Sequence, residues 1–124
     1  MAVGPLGQIH ISVTDLDRSI SFYHELLGIP LLFRVTGQPM AFLASGDVRL
    51  YLGVPERPEF TSKVVAYFRV DDIDAEHDRL TAAGVAFLGP PQVVHRDEST
   101  ELRMASFPDP DGHHLVLMQE RPIS

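Results

Sequence analysis

The feature that most constrains the fold is a short segment that occurs in nearly the same form in both halves of the chain. Residues 13–17 are VTDLD and residues 70–74 are VDDID, so at an offset of 57 three of the five positions are identical and a fourth pairs Leu16 with Ile73. Gly28 and Gly84, which end the helical patterns that follow, are offset by 56, as if the second helix were one residue shorter. Two copies half a chain apart indicate a duplicated unit, each copy needing the other to bury its apolar face. The alternative is that two unrelated helices share the same capping chemistry.

Length and composition predict that the two halves form one domain over residues 1–124. A chain of 124 residues is large enough for one hydrophobic core and too small for two independent ones. Hydrophobic residues make up 44% and charged residues 22%, which is typical of a folded globule and not of a disordered chain. The duplicated units are therefore expected to share a core.

Charge and residue usage exclude several classes of function. The net charge is −7 with only ten lysines and arginines, so no basic surface for nucleic acid is expected. No apolar run approaches the length of a membrane span, and residues 1–5 do not resemble a secretory signal, so we expect a cytoplasmic protein. The absence of cysteine excludes disulfides, thiolate metal sites and a cysteine nucleophile. A small molecule is the expected partner.

The first module is predicted over about residues 6–54 with the order βαβββ. Residues 8–13 alternate between apolar and polar side chains, which is typical of a half-buried strand. Thr14 or Asp15 then caps a helix that Gly28 terminates. The remaining strands are predicted at residues 31–35, 40–44 and 48–52.

The second module, over about residues 63–120, is predicted to repeat this order. Residues 55–62 contain two prolines and several charges, so they are predicted to be the linker. A strand over residues 64–70 leads to a second helix. Its later strands are predicted at residues 85–88, 102–107 and 113–118.

Three motifs spread over nearly the whole chain resemble the vicinal oxygen chelate superfamily, which holds glyoxalase I, extradiol dioxygenases and bleomycin-resistance proteins. They are DLDRS at 15–19 with FY at 22–23 and LG at 27–28, FRVDDID at 68–74, and FPDPDG at 107–112 before a final strand. The resemblance implies an α+β fold of two βαβββ modules. Their sheets would curl into an open barrel around a cleft, with the helices outside, in a protein that is usually a homodimer.

The resemblance also implies a metal site of His, Glu, His and Glu on the first and last strands of the two modules. Counted from the motifs, these positions fall on Gln8, Arg49, Val65 and Val116. Two valines cannot ligate a cation and an arginine would repel one, so we expect no metal cofactor at the usual site. The alternative is an atypical divalent metal held by His10, His114 and a carboxylate such as Glu101 from a neighbouring strand.

Polar and aromatic side chains alternate with the apolar positions of the strands and predict the lining of a cleft. Rings supply contact area and arginine can grip a carboxylate or enolate, so such a cleft suits an organic ligand that is anionic or aromatic. The alternative is a solvated sheet surface. The predicted ligand-binding residues are Gln8, His10, Arg49, Tyr51, Tyr67, Arg69, His114, Val116 and Met118.

His10 is the candidate catalytic residue because imidazole titrates near neutral pH and His10 lies two residues from a predicted ligand position. A structural role is the alternative for a single histidine on a strand. His24 is predicted to be solvated on the first helix, and His77 is predicted to lie at the edge of the core on the second.

The remaining histidines are not expected to chelate an ion together. His113 and His114 are adjacent on a strand, so their side chains should point to opposite faces. His95 falls in residues 92–99, an irregular segment that would form a mobile rim over the cleft.

Three hypotheses about function follow. The first is a metal-independent small-molecule-binding protein, similar to the drug-sequestering bleomycin-resistance type. The second is an enzyme of the superfamily (a lyase, isomerase or dioxygenase) in which His10 moves a proton beside an oxyanion held by Arg49 or Arg69, or in which an atypical metal does that work. The third is an interaction module. Pairing of the modules within one chain or across a dimer is left open.

Overall fold

The first half of the chain forms a four-stranded mixed sheet with one helix. The computed structural model describes residues 2–123 and divides them into two compact units, with the boundary between Lys63 and Val64. In the first unit the strands lie in the order β1-β4-β3-β2, with β1 parallel to β4 and the other pairs antiparallel. Its elements are β1 (Gln8–Ser12), α1 (Leu16–Ile20), a π-helical continuation (Ser21–Leu26), β2 (Leu31–Arg34), β3 (Met40–Ser45), β4 (Val48–Gly53) and a 3₁₀ turn (Pro58–Phe60).

The second unit repeats this arrangement. Its strands lie in the order β5-β8-β7-β6, and β5 is parallel to β8. Two βαβββ modules with four-stranded mixed sheets confirm the predicted α+β fold. The elements are β5 (Val65–Arg69), α2 (Ile73–Ala82), β6 (Gln92–Arg96), β7 (Thr100–Pro108) and β8 (His114–Pro122).

The predicted strand at residues 85–88 is wrong. The Val85 N–H donates to the Leu80 carbonyl at the end of α2, and only the Leu88 N–H, 2.8 Å from the Ser106 carbonyl, reaches the sheet. Gly89-Pro90-Pro91 follows, and proline has no N–H to donate to a ladder. The strand instead forms at β6, inside the segment that was predicted to be an irregular rim.

Both helices begin and end with the chemistry that the repeat predicted. The Oδ1 atoms of Asp15 and Asp72 accept the N–H groups of Arg18 (3.2 Å) and Ala75 (3.1 Å). These N-caps satisfy backbone donors that a helix leaves unpaired. Gly28 has a φ of 81° and Gly84 a φ of 99°, a conformation that favours glycine.

The extra residue of the first helix is absorbed by a π-helical turn. The Leu27 N–H donates to the Phe22 carbonyl, five residues back, at 3.0 Å. An inserted residue forms such a turn because it lets both ends of the helix keep their positions. Tyr23, inside this turn, is fully buried. The π-helical turn thus accommodates the one-residue difference in length between the two repeats.

Each unit buries the apolar side chains on the helix-covered face of its sheet. Burying a large aliphatic or aromatic side chain contributes about 1.5–3 kcal/mol, so these residues dominate the stability of each unit. In the first unit they include Ile11, Leu16, Tyr23, Leu43 and Leu52, and in the second Ile73, Leu80, Phe107, Leu115 and Leu117.

A buried carboxylate anchors ion pairs in the second unit. Glu101 of β7 accepts hydrogen bonds from Arg96 Nη2 (2.7 Å) and Arg121 Nε (2.9 Å). Asp74 of α2 accepts one from Arg103 Nη1 at 3.0 Å and lies 3.7 Å from Arg121 Nη1. Arg121 therefore connects the carboxylate of the sheet to that of the helix.

These ion pairs predict a loss of stability in acid. Hydrogen bonds from Arg96, and then from Arg121, lower the pKa of Glu101 below its ordinary value of 4.5. A lowered folded-state pKa stabilises the fold above pH 4.5, and this contribution is lost as the pH falls through the folded-state pKa. Glu101→Gln should therefore lower the free energy of unfolding at neutral pH and reduce its decline below pH 4.5, as measured by urea unfolding across this range. The control is Glu98→Gln, which removes an exposed carboxylate. An equal acid-induced decline in wild type and Glu101→Gln would contradict the prediction.

Candidate functional site

Four aromatic rings, one from each strand of the first sheet, form a continuous row. Phe33 of β2 lies opposite Phe42 of β3, which lies opposite Tyr51 of β4, which lies opposite His10 of β1. The ring centroids are 4.8, 4.9 and 4.6 Å apart in that order. The Phe42 and Tyr51 rings are stacked with 25° between their planes, and His10 meets Tyr51 edge-on. We call these four side chains the aromatic row.

Strand alternation places the row on the face of the sheet that the helix does not cover. Leu50 and Leu52, the neighbours of Tyr51, are buried on the other face, where α1 contacts β4. Successive side chains of a strand point to opposite faces, so Tyr51 points away from this core. Its ring lies against Gly53, where an added Cβ would be 2.6 Å from Tyr51 Cε1. Glycine at this position therefore gives the ring its room.

A cavity of about 700 Å³ opens at the His10 end of the row. One wall is the sheet and the other is the segment of residues 54–62, which we call the strap. Hydrogen bonds hold the strap on β1: the Ser62 N–H donates to Ser12 Oγ (2.7 Å), the Ser12 N–H to Ser62 Oγ (3.0 Å), and Ser62 Oγ to the His10 carbonyl (3.0 Å). The lining residues are Gln8, His10, Pro39, Met40, Tyr51, Val54, Pro55, Glu56, Glu59, Phe60, Thr61 and Ser62.

The predicted site residues of the first module share one face of the sheet, and three of them line this cavity. Gln8, His10 and Tyr51 form part of the wall. Arg49 is beside them, paired with Gln8 in the strand register, but lies outside the cavity lining. Its guanidinium carbon is 5.4 Å from the centroid of the Phe42 ring, so the Arg49 side chain covers the row at Phe42.

The predicted residues of the second module are divided between two smaller cavities. Tyr67, His114 and Val116 line a cavity of about 350 Å³, together with apolar residues such as Met104. Arg69 and Met118 line another, of about 370 Å³. The single cleft that would join the predicted residues of both modules stays a prediction.

The four positions at which the resemblance implies metal ligands do not hold a fitting set of donors. Gln8 pairs with Arg49 as Val65 pairs with His114, so the first-module counterpart of Val116 is Tyr51, which pairs with His10. The register therefore places Tyr51, and not Arg49, at the first-module position that corresponds to Val116. Two alkyl side chains, an amide and a phenol lack the imidazole and carboxylate ligands that divalent cations prefer.

The structure does not support Glu101 as the carboxylate of the alternative metal site. Both oxygens of Glu101 accept hydrogen bonds from arginines, and Glu101 lies on the face of β7 opposite to the face that His114 shares on β8. Within residues 2–123, no group of three or more histidine or acidic side chains is placed to hold a metal ion.

The other histidines have mostly structural positions. His24, predicted to be solvated, instead donates from Nδ1 to the Ile29 carbonyl at 2.8 Å, beside the π-helical turn. His77 lies at the core edge as predicted, 4.4 Å from the Phe87 ring. His113 is buried and its Nδ1 accepts the Val64 N–H at 2.9 Å, whereas His114 is exposed, so the two point to opposite faces as predicted. His95 lies exposed on β6.

Sequence reasoning missed the Phe33–Phe42 part of the row and the strap. Phe42 alternates with buried Ala41 and Leu43, a pattern that places it on the open face. Its alignment with Tyr51 depends on the register between strands. The strap was predicted to be a linker because of its prolines and charges, and the Ser62–Ser12 hydrogen bonds join residues 50 apart.

These features define a duplicated α+β protein with a ligand-sized cavity on the open face of one sheet. The chain belongs to the Glyoxalase/Bleomycin resistance protein/Dioxygenase superfamily, whose family model matches residues 6–117. The membership confirms the resemblance that the motifs indicated.

Known relatives include both enzymes and binding proteins. The chain is similar to the glutathione transferase FosA of Serratia marcescens, with 34% identity over 120 residues, covering 90% of this chain and 78% of FosA. It is 29% identical to the metallothiol transferase FosB of Lysinibacillus sphaericus, covering 98% and 89% of the two chains. The structure of TnmS3, an antibiotic binding protein from Streptomyces sp. CB03234, has a TM-score of 0.78 and 30% identity, covering 98% of this chain and 99% of TnmS3. No helix in the described part of the chain is long and apolar enough to cross a membrane.

The contact between Gly53 and Tyr51 predicts that Gly53→Ala reorients the Tyr51 ring. The new Cβ would overlap the ring edge, which must turn away from its present rotamer at a cost of about 1 kcal/mol. We expect a folded protein in which the NMR signals of the Tyr51 and His10 rings shift. Gly89→Ala is the control, because a Cβ there meets nothing within 4 Å. Unchanged ring signals in Gly53→Ala would contradict the proposed packing.

Proposed function

We propose that this protein binds a planar organic molecule in the cavity of the first module, stacked on the aromatic row, without using a metal ion. The observation that carries the proposal is the row itself, which enters the cavity at Tyr51 and His10 and continues outside it to Phe42 and Phe33. A planar ligand in the cavity would lie against this surface. Offset-stacked and edge-to-face contacts with aromatic rings contribute about 0.5–1.5 kcal/mol beyond the area that they bury.

Size and chemistry of the cavity support this proposal. Ligand pockets typically have volumes of about 300–1,000 Å³, mostly apolar walls and a few polar groups that fix orientation. The cavity of about 700 Å³ has Met40, Val54 and Phe60 in its walls, whereas Gln8 offers an amide that both donates and accepts hydrogen bonds. This composition favours an aromatic ligand with polar substituents.

The relatives support ligand binding as one use of this fold. TnmS3 is described as an antibiotic binding protein, and its structure superimposes on nearly the whole chain. The misfit of the metal positions further favours binding over metal-assisted chemistry. A homodimer, the absence of a nucleic-acid partner and a cytoplasmic location stay predictions.

The direct test is binding of 9-anthracenemethanol, an uncharged planar probe, to the protein in the presence of a chelator. We expect saturable binding by titration of probe fluorescence, and about 2–10-fold weaker binding to Tyr51→Leu because a stacking partner is lost. Tyr67→Leu is the matched control, since it removes an exposed tyrosine from the second module. Loss of binding on chelation, or equal losses in both variants, would contradict the proposal. Globular 1-adamantanemethanol, which cannot stack, should bind more weakly.

A second candidate function is an enzyme that joins a thiol to the bound molecule, with His10 as the proton acceptor. His10 lines the cavity, and the similarity to FosA, named a glutathione transferase, favours this class. Glutathione and 1-chloro-2,4-dinitrobenzene test it: the thiol proton would pass to His10, the new carbon–sulfur bond would form, and chloride would leave. Enzymatic turnover that His10→Gln abolishes while the probe still binds would support the enzyme. A rate no faster than the uncatalysed reaction would reject it for this substrate pair.

A further inference from the structure

The charged side chains that line the cavity of the first module are acidic. Glu56 and Glu59 of the strap form part of its wall, and within the described residues no lysine or arginine belongs to the lining. An anionic ligand was expected because of Arg49, but Arg49 does not line the cavity. Its guanidinium lies over the Phe42 ring instead. The wall opposite the aromatic row therefore carries two carboxylates, one of which, Glu59, lies 3.9 Å from Arg57 Nε.

We infer that the ligand of this cavity is a planar aromatic cation, such as a ring system that carries a protonated amine. This inference rests on the proposed function and assigns the charge of the molecule that stacks there. The flat ring system would lie against Tyr51 of the aromatic row, and the cationic group would point to the carboxylates of the strap. Nearby Gln8 would accept a hydrogen bond from the same group.

Aromatic faces of this module already hold cationic groups. The guanidinium carbon of Arg57 lies 4.8 Å from the centroid of the Phe60 ring, and its Nε lies 3.9 Å from Glu59 Oε1. Phe60 and Glu59 both belong to the cavity wall. A ring face attracts a cation through its quadrupole, and a neighbouring carboxylate adds Coulomb attraction. The strap thus combines ring and carboxylate around a cation of the protein itself, and a ligand amine would use the same combination.

The exposure of the two glutamates determines how strongly the cavity should prefer a cationic ligand. Both are exposed at the rim of the cavity, so water and salt weaken their attraction for a bound cation. An exposed ion pair is worth at most about 1 kcal/mol, which corresponds to a preference of roughly fivefold for the cation. The preference should be largest at low ionic strength and should shrink strongly in about 0.5 M salt, where the Debye length falls to a few ångströms.

Three probes with the same ring system and different charges test the inference. They are 9-(aminomethyl)anthracene, which is cationic at neutral pH, uncharged 9-anthracenemethanol and anionic 9-anthracenecarboxylate. We expect dissociation constants to rise in that order at low salt. In the double variant Glu56→Gln, Glu59→Gln, the cation should lose its roughly fivefold advantage over the uncharged probe. Glu25→Gln, which removes an exposed carboxylate from the π-helical turn, should leave the advantage unchanged.

The outcomes separate this inference from the function on which it rests. If the uncharged probe binds but the cation binds no more tightly, the ligand class is wrong and the stacking site stands. If the cationic probe keeps its advantage over the uncharged probe in the double variant, the proposed ligand class is also wrong. Tightest binding of the carboxylate, lost in Arg49→Gln, would assign an anionic ligand gripped by Arg49. If none of the three probes binds the wild-type protein, both the proposed stacking site and the proposed ligand class are wrong.

Discussion

The register between strands of the first sheet is the constraint on which the candidate site depends. Each of the four strands contributes one ring, and the rings meet only because Phe33, Phe42, Tyr51 and His10 lie opposite one another in successive pairs. A shift of one residue in any pair would turn a ring into the buried face and an aliphatic core residue toward solvent. Burial of the core therefore fixes the register, and the register in turn builds the aromatic surface.

The duplicated framework explains how the two modules can differ in chemistry. Both keep the aspartate N-cap and the terminal glycine of the helix, while the first absorbs an extra residue as a π-helical turn. On the face of the second sheet away from the helix, Tyr67, Val116 and Ser106 lie opposite one another where the first module has His10, Tyr51 and Phe42. The continuous row of rings thus belongs to the first copy, because the second copy carries other side chains at the corresponding positions.

The sequence predicted what depends on local chemistry and periodicity. Alternation placed Gln8, His10 and Tyr51 on one face, and the repeat predicted two βαβββ modules. The sequence could not predict contacts that depend on how distant strands pair. These are the alignment of Phe42 with Tyr51, the stacking of Arg49 on Phe42, and the Ser62–Ser12 hydrogen bonds that hold the strap. The strand β6 was missed because the apolar run at residues 85–88 gives a stronger local signal than the exposed strand that follows two prolines.

A planar ligand should stack on the aromatic row in the absence of any metal ion. The most direct measurement is an NMR titration of the chelator-treated, isotope-labelled protein with 9-anthracenemethanol, following the side-chain signals of every aromatic residue. Ring currents act over short distances, so stacking predicts large shifts at His10 and Tyr51, which line the cavity, with Tyr67 and His114 little changed. Shifts confined to Tyr67 and His114, or shifts that appear only after a divalent metal is added back, would contradict the claim.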